Sequence, residues 1–267
     1  MTAGGSPLPA PEFLFAVLLG FASGFTSGAF GIGGAVITTP AIRLLLMRSS
    51  DIALGTPLPI VFPSALVGGF NYWKAGKVIP RVVLYSSLFG CLGTVIGSSV
   101  TSLLDTRYIM IITSLLLIYL AYRTYASSAR ERPHAERAGQ HAGGHPVSLL
   151  ALIGFSAGFF SGFLGLGGGV ILVPGFYFLL HMDLKECLGN SLVVIAFLAL
   201  PGSVVHSFLG HVEWPVVLAM TLGVMPGSYI GSYFTIRARN RRVQVLFALL
   251  LLAIGIIFLF KEVKGLV

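Results

Sequence analysis

The chain has 267 residues, of which 55% are hydrophobic and only 10% are charged, and its mean hydropathy is +0.91. Soluble domains carry about 25% charged residues, so this composition excludes an ordinary soluble protein and indicates an integral membrane protein. The net charge of +8 does not indicate nucleic-acid binding, because the Lys and Arg residues stand in short links between apolar segments rather than on one basic face.

Five apolar segments follow one another in the first half of the chain. The first two, at about 13–30 and 34–47, flank a glycine motif, "GAFGIGGAVITTP". The first twelve residues contain no Lys or Arg and so lack the basic start of a secretory signal, which predicts that the first segment is retained. The next three segments approach the roughly 20 residues with which a helix crosses hydrocarbon, at 54–72, 82–101 and 108–122. Backbone groups in lipid must bond to one another, so we expect an all-α polytopic protein.

A polar, glycine-containing stretch at 126–146 separates the two halves and predicts a flexible cytoplasmic linker. Its histidines, His134, His141 and His145, stand without a paired cysteine or carboxylate scaffold. We therefore expect solvated side chains rather than a metal site.

The second half repeats the first at an offset of 134 residues. The motif returns as "GFLGLGGGVILVP", and positions 20–40 are identical to 154–174 at 12 of 21 sites. Such a fused duplication is common in transporters. The predicted organisation is an N-terminal tail, a membrane repeat, the linker, a second membrane repeat and a C-terminal tail, at 1–12, 13–125, 126–146, 147–260 and 261–267.

The distribution of Lys and Arg indicates how the repeats lie relative to each other. If each repeat crosses the bilayer an odd number of times, the second is inverted and the cations divide 12 to 5 between the two sides; an even number divides them 8 to 9. The positive-inside rule therefore favours inverted repeats with both termini outside. Five crossings per repeat, or three crossings and a re-entrant hairpin, both fit this count. The five outside cations are Arg43, Arg48, Arg107, Lys261 and Lys264.

The glycine motifs predict helices that are broken inside the membrane. A nucleotide-binding loop would need a preceding strand, and a P-loop would also need a Gly-Lys-Ser/Thr ending, which the sequence lacks. Close helix packing suits the small-xxx-small pairs Gly93/Gly97 and Gly227/Gly231. Glycines as dense as "GIGG" and "GLGGG" instead weaken a helix. A helix that restarts after such a break presents unpaired N–H groups and a positive dipole end, which favour an anion.

The order of motifs in both halves resembles one transporter family. The paired "G-x-G-G" segments are followed by "LGT" or "LGN", then by "AGKV" or "LGHVEW", then by "GxxxG" and a terminal apolar helix. Over residues 13–260 this pattern is similar to the sulfite exporter TauE/SafE family of bacterial permeases. The resemblance implies export of small sulfur oxyanions or organosulfonates through the inner membrane. It also implies about eight crossings, or four per repeat, and the odd number per repeat favoured by the charge count departs from this.

Neutral side chains are the remaining candidates for ligand contact. Asp and Glu stand only at segment ends, in loops and in the linker, so a buried acidic proton relay is not expected. For each candidate, a hydrogen bond to a neighbouring helix is an equally good interpretation. The predicted substrate-binding residues are Gly31, Gly33, Gly34, Gly165, Gly167, Gly168, Gly169, Thr56, Asn190, Ser191, His206 and Tyr72, with no catalytic residue, metal or cofactor.

The sequence thus predicts a secondary transporter of a small sulfur-containing anion that works by alternating access between inverted repeats. An anion channel with the same half-helix ends is the alternative. An enzyme is not expected, because the membrane segments offer only His206 and scattered serines and no nucleophile–base pair. The expected partners are the anion, the lipid bilayer and, as a candidate, a second copy of the chain, with no nucleic acid.

Overall fold

The computed structural model describes residues 8–101, 106–129 and 146–238, and then 245–246, 248–249, 252–257 and 259–260. Throughout these ranges the chain is largely helical and contains no strand. Six helical stretches of the described part are long and apolar enough to cross a membrane: Ala10–Phe30, Ser50–Lys74, Pro80–Thr101, Val147–Leu164, Leu184–Phe208 and Trp214–Arg237. The prediction of an all-α polytopic membrane protein is confirmed.

The described residues of the first half form six helices and one π-helical turn. They are α1 (Ala10–Phe30), α2 (Ala35–Pro40) with its π-helical continuation (Ala41–Leu45), α3 (Ser50–Gly55), α4 (Pro57–Lys74), α5 (Pro80–Thr101) and α6 (Thr106–Ala129). Helix α1 begins inside the predicted tail, and α6 runs into the first residues of the predicted linker. Residues 130–145, with His134, His141 and His145, lie outside the described ranges.

The second half repeats these bounds at the offset seen in the sequence. Its helices with described bounds are α7 (Val147–Leu164), α8 (Gly169–Leu179), α9 (Leu184–Phe208) and α10 (Trp214–Arg237), and the described residues between 245 and 260 are also helical. Helix α8 starts and ends 134 residues after the stretch Ala35–Leu45, and α9 does so after Ser50–Lys74. Left-handed glycines recur likewise, at 31, 33, 34 and 76 and at 165, 167, 168 and 210.

Local sequence explains where several helices start. The Ser49 hydroxyl accepts a hydrogen bond from the Ile52 N–H at the start of α3, at 3.5 Å. The Asp183 carboxylate accepts one from the Lys185 N–H at the start of α9, at 3.2 Å. Such caps satisfy N–H groups that have no partner within the helix.

The two repeats pack by exchanging equivalent helices. Helix α1 packs along α10, and its counterpart α7 packs along α5. Small residues allow this close approach, because a Cβ atom on Gly158 would collide with Gly90, and one on Gly24 would collide with Val224. The predicted packing role of the small-xxx-small pairs is confirmed, since Gly93 and Gly97 face α7 while Gly227 and Gly231 face α1.

Helices α4 and α9, which are equivalent in the two repeats, run in opposite directions against each other. Leu58, near the start of α4, contacts Gly202 near the end of α9. Tyr72, near the end of α4, contacts Gly189 near the start of α9. The antiparallel pair forms the centre of the molecule, and Val61 and Ile195 in its middle are fully buried.

Candidate functional site

Helix α1 breaks at the first glycine motif. Gly31 ends the helix with a φ of 68°, and Gly33 and Gly34 have φ values of 76° and 81° before α2 begins. A side chain is excluded at Gly33 by space as well as by φ, because its Cβ would lie 2.8 Å from the Ile195 Cγ2 atom. The break predicted here is confirmed.

Helix α7 breaks in the same way at the second motif. Gly165, Gly167 and Gly168 have φ values of 63°, 75° and 75°, and Gly169 is the first residue of α8. A Cβ atom on Gly165 would lie 2.5 Å from the Leu54 carbonyl oxygen. The second predicted break is therefore also confirmed.

The chain folds back at the first break rather than continuing. The Ser23 hydroxyl donates to the Gly34 carbonyl at 2.9 Å and lies 2.6 Å from the Thr38 hydroxyl, so α2 returns beside α1. Arg48, beyond α2, pairs with Glu12 at the start of α1 at 2.7 Å. The helical stretch after the break measures about 16 Å, roughly half of a bilayer core of about 30 Å. This geometry favours a re-entrant hairpin over two full crossings.

The two breaks meet each other beside the middle of α4 and α9. Gly169 lies directly against Ile32, and a Cβ atom on Gly167 would lie 3.3 Å from that of Ala35. Val61 lies close to both Gly33 and Gly167. The ends of α1 and α7 and the starts of α2 and α8 therefore converge on one region of the molecule.

The restarted helices begin in this region, and their first N–H groups have no acceptor within the helix. In α2 the first intrahelical bonds run from the N–H groups of residues 37 and 38 to the Gly34 carbonyl, at 3.0 Å each. In α8 residues 171 and 172 bond to the Gly168 carbonyl in the same way, also at 3.0 Å. The N–H groups of Ala35, Val36, Gly169 and Val170 lack an intrahelical acceptor, and the positive dipole end adds to them.

Ser161 adds a buried hydroxyl beside the start of α8. It is fully buried, and its hydroxyl makes no hydrogen bond in the described part of the chain. Its Cβ lies 3.3 Å from where a Cβ of Gly168 would stand. The counterpart Ser27 accepts a hydrogen bond from Ser64 at 2.8 Å, whereas Leu198 replaces that donor in the second repeat. Buried polar atoms are usually partnered, so this exception needs an explanation.

Thr56 and Asn190 form hydrogen bonds to loops of the other repeat. The Thr56 hydroxyl accepts a hydrogen bond from the Glu213 N–H at 3.1 Å, before α10. The Asn190 amide oxygen accepts one from the Ile79 N–H at 2.8 Å, before α5. The contacts of these two residues in the structure are thus hydrogen bonds within the protein, which was the alternative to ligand contact in the sequence analysis.

Ser191 and Thr39 bond to the carbonyl ends of the broken helices. The Ser191 hydroxyl donates to the Gly31 carbonyl at 2.7 Å, and Thr39 donates to the Gly165 carbonyl at 2.9 Å. Each hydroxyl belongs to the other repeat. Sequence analysis missed Thr39, whose position before Pro40 beside the motif was the available signal.

Tyr72 and His206 are equivalent residues with equivalent bonds. The Tyr72 hydroxyl donates to the Gly28 carbonyl at 3.2 Å, and the His206 Nε2 atom lies 3.1 Å from the Gly162 carbonyl oxygen. Both side chains are fully buried. They hold the last turns of α1 and α7, just before the breaks.

The polar lining of the two repeats differs. Ser23, Thr38 and Ser64 form buried hydroxyl contacts in the first repeat. The second repeat has apolar residues in their places, namely Ala157, Leu172 and Leu198. Sequence analysis did not single out these three hydroxyls, although comparing the repeats position by position would have found them.

The ion pairs of the described chain lie near the ends of the long helices. Arg48 binds Glu213 through two hydrogen bonds of 2.7 and 2.9 Å, and this contact, despite partial burial, raises the pKa of Arg48. At the opposite end, Lys77 lies 3.9 Å from Glu186. The described residues contain no cluster of three His, Cys, Asp or Glu that could hold a metal ion.

Comparison with known proteins agrees with this architecture. A family model described as "Sulfite exporter TauE/SafE" matches residues 16–258. The "Probable membrane transporter protein YunE" of Bacillus subtilis is 25% identical over 262 residues, covering 91% of this chain and 96% of the relative. A "Probable membrane transporter protein" of Xylella fastidiosa is 26% identical over 252 residues, covering 91% and 94%. No solved structure matches significantly.

Proposed function

The chain belongs to the sulfite exporter TauE/SafE family of probable membrane transporters, and from that premise we propose that it is a secondary transporter of a small sulfur-containing anion. Sulfite and short organosulfonates such as sulfoacetate or taurine are the proposed substrates. The proposed direction is export across the bacterial inner membrane.

The observation that carries the proposal is the start of α8. Its freed N–H groups and the unpartnered Ser161 hydroxyl are neutral donors, and they face a region where the breaks converge. Such donors stabilise an oxyanion without any cationic side chain. The buried polar side chains of the described chain include no carboxylate that would repel an anion.

The arrangement of the repeats supports alternating access. Equivalent helices α4 and α9 run antiparallel, and α1 and α7 exchange equivalent partners. These contacts are what inverted repeats with a central site would make. One repeat moving against the other would then expose the site to each side in turn.

The charges at the ends of the described helices support the proposed orientation. Lys74, Lys77, Lys185 and Arg237 lie where the sequence count places the cytoplasmic side. Cytoplasmic ends of membrane helices are rich in Lys and Arg. The proposed topology therefore keeps the linker inside and both termini outside. The sequence has no ATP-binding motif, so a gradient of ions or of substrate would drive transport.

Flux in proteoliposomes tests the proposal. Sulfite, sulfate, taurine and sulfoacetate are offered to the wild-type protein, and saturable flux that is stimulated by substrate on the far side is expected for at least one of them. Unsaturable flux without such stimulation would indicate the alternative, an anion channel. No flux of any of the four would contradict the substrate class.

Variants of the convergent region sharpen the test. Flux is expected to fall at least about tenfold in Gly33→Val and Gly167→Val. A tenfold fall corresponds to an increase of about 1.4 kcal/mol in the activation free energy of transport. Gly76→Val is the matched control, because Gly76 also has a positive φ, of 68°, but no atom lies within 4 Å of its Cβ position. Undiminished transport in the first two variants would count against the site.

A milder pair of variants avoids large steric changes. Ser161→Ala is expected to raise KM by about two- to tenfold, because the anion loses one hydroxyl donor. Ser87→Ala is the control, since the Ser87 hydroxyl on α5 is also buried without a hydrogen-bond partner in the described chain. An unchanged KM in Ser161→Ala would remove Ser161 from the site.

A further inference from the structure

Two histidine rings contact each other at the end of α9. The His206 Nδ1 atom lies 3.3 Å from the His211 Nδ1 atom, and the ring centroids are 5.5 Å apart. The Nε2 atom of His206 lies 3.1 Å from the Gly162 carbonyl oxygen. His206 is fully buried and His211 is partly buried. These two residues are called the histidine pair below.

The hydrogen bonds set how many protons the pair holds. A carbonyl only accepts, so the Nε2 atom of His206 carries the hydrogen and its Nδ1 atom, in the neutral ring, accepts from His211. One added proton leaves the bond between the rings intact, because one Nδ1 atom still donates and the other still accepts. A second added proton would turn both Nδ1 atoms into donors facing each other. The hydrogen bonds therefore leave room for at most one extra proton on the pair.

Three helices of the described chain place polar or charged groups near the histidine pair. Helix α7 contributes the Gly162 carbonyl, and α5 contributes the Thr101 hydroxyl, 3.5 Å from the same carbonyl oxygen. Helix α3 contributes the Asp51 carboxylate, which acts electrostatically on the second ring. Arg48 and Glu213, at the same end of the molecule, are bound to each other.

The first repeat makes the equivalent bond without a group that titrates near neutral pH. There the Tyr72 hydroxyl donates to the Gly28 carbonyl at 3.2 Å, and Lys77 stands where the second repeat has His211. A phenol is therefore sufficient to hold the last turn of the broken helix. The imidazoles add a proton-binding capacity to one repeat only.

The pair lies next to the broken end of α7. Gly162 is in the last turn of that helix, three residues before Gly165, where the break begins. A positive charge is favoured there by the negative end of the helix dipole. An anion held at the start of α8 would further favour the charged pair. Because such coupling is reciprocal, a proton on the pair would strengthen anion binding by the same factor.

We propose that the His206–His211 pair is a proton-binding site that takes up one proton when the anion binds, so that anion and proton are transported together. This inference rests on the proposed anion site at the start of α8. Burial lowers the pKa of His211, with Asp51 opposing the shift, and this favours the neutral ring in the absence of the anion.

Calorimetry of the full-length protein in detergent tests the coupling. Sulfoacetate is titrated in two buffers of different ionisation enthalpy, and the difference in heat gives the protons taken up per bound anion. We expect about one proton for the wild type near pH 7. His206→Tyr copies the residue of the first repeat, so it is expected to bind sulfoacetate while its proton uptake falls to near zero. His181→Gln, a histidine in the loop after α8, is the control and is expected to retain the uptake.

The outcomes separate this inference from the proposed function. Proton uptake in His206→Tyr equal to that of the wild type would overturn the inference while leaving anion transport intact. If neither sulfoacetate nor the other anions bind, the substrate class fails instead. The proton site is then decided by NMR titration of the labelled histidine rings. One proton shared between both rings supports the site, and two independent titrations overturn it.

Discussion

The amide oxygen of Asn190 accepts a hydrogen bond from the backbone N–H of Ile79 at 2.8 Å. The equivalent bond, 134 residues away at both partners, joins the Thr56 hydroxyl to the Glu213 N–H at 3.1 Å. Each bond ties the central helix of one repeat to the loop before a helix of the other. The repeats are thus fastened to each other at both ends of the α4–α9 pair by different side chains in the same place.

Replacing the Asn190 side chain should destabilise the protein. In Asn190→Ala the Ile79 N–H loses its acceptor, and we expect a loss of about 1–3 kcal/mol in unfolding free energy. Asn190→Thr introduces the residue of the first repeat and should retain most of the stability. Thermal unfolding in detergent measures both. Equal melting temperatures for Asn190→Ala and the wild type would show that the bond contributes nothing.

Removing the Arg48 guanidinium should release three segments from one another. Arg48 binds Glu12 and Glu213, and Met182 occupies its place in the second repeat. Because the groups are only partly buried, we expect Arg48→Met to cost about 1 kcal/mol, less at high salt. Lys77→Met is the comparison, since Lys77 reaches Glu186 only at 3.9 Å and should contribute less than about 0.5 kcal/mol. A cost that salt does not reduce would argue against ion pairing.

Two glycines separate the cost of backbone strain from that of crowding. Gly76 has a φ of 68° with open space around it, whereas Gly33 has a φ of 76° and would bring a Cβ to within 2.8 Å of Ile195. We expect Gly76→Ala to cost about 1–2 kcal/mol from φ alone and Gly33→Ala to cost more. Chemical or thermal unfolding of the two variants tests this order. Equal losses of unfolding free energy in the two variants would mean that the residues around Gly33 move to accommodate a Cβ atom.

Stability should fall as the pH drops below about 6.5, in part because of His211. Burial lowers the pKa of this residue in the folded protein, so the unfolded chain takes up the proton first. The contribution is absent above about pH 6.5 and becomes increasingly unfavourable to folding below it. Melting temperatures between about pH 5 and 8 measure the slope, and His211→Gln should flatten it. A slope unchanged in that variant would assign the effect to other groups.

The structure confirms the predictions that depend only on short stretches of the sequence. The length and hydropathy of the segments predicted membrane helices, and those helices are present. The glycines of "GIGG" and "GLGGG" predicted breaks, and the backbone turns left-handed at Gly31 and Gly165. Short segments such as Ala35–Leu45 could not be told from crossings by length alone. The bonds of Ser23 to Gly34 and Thr38 show that this segment folds back beside α1, which its length alone did not indicate.

The candidate site was predicted less completely, because its residues depend on neighbours far away in the chain. Ser191 bonds to the Gly31 carbonyl of the first break, whereas Thr56 and Asn190 fasten loops. The residues around Ser161 in the sequence do not indicate that its hydroxyl lacks a partner. In the first repeat the equivalent Ser27 accepts from Ser64, and the second repeat has Leu198 in place of Ser64.

The sequence by itself determined that the chain is a membrane protein, that it contains an internal duplication and that glycines break a helix in each copy. These are properties of short stretches, set by hydrophobicity and by the backbone freedom of each residue. Only the tertiary structure decided that the two breaks touch, that α4 and α9 run antiparallel and that His206 meets His211. Contacts of this kind arise when helices from both copies pack together, and the repeated pattern does not specify which of two equivalent side chains finds a partner.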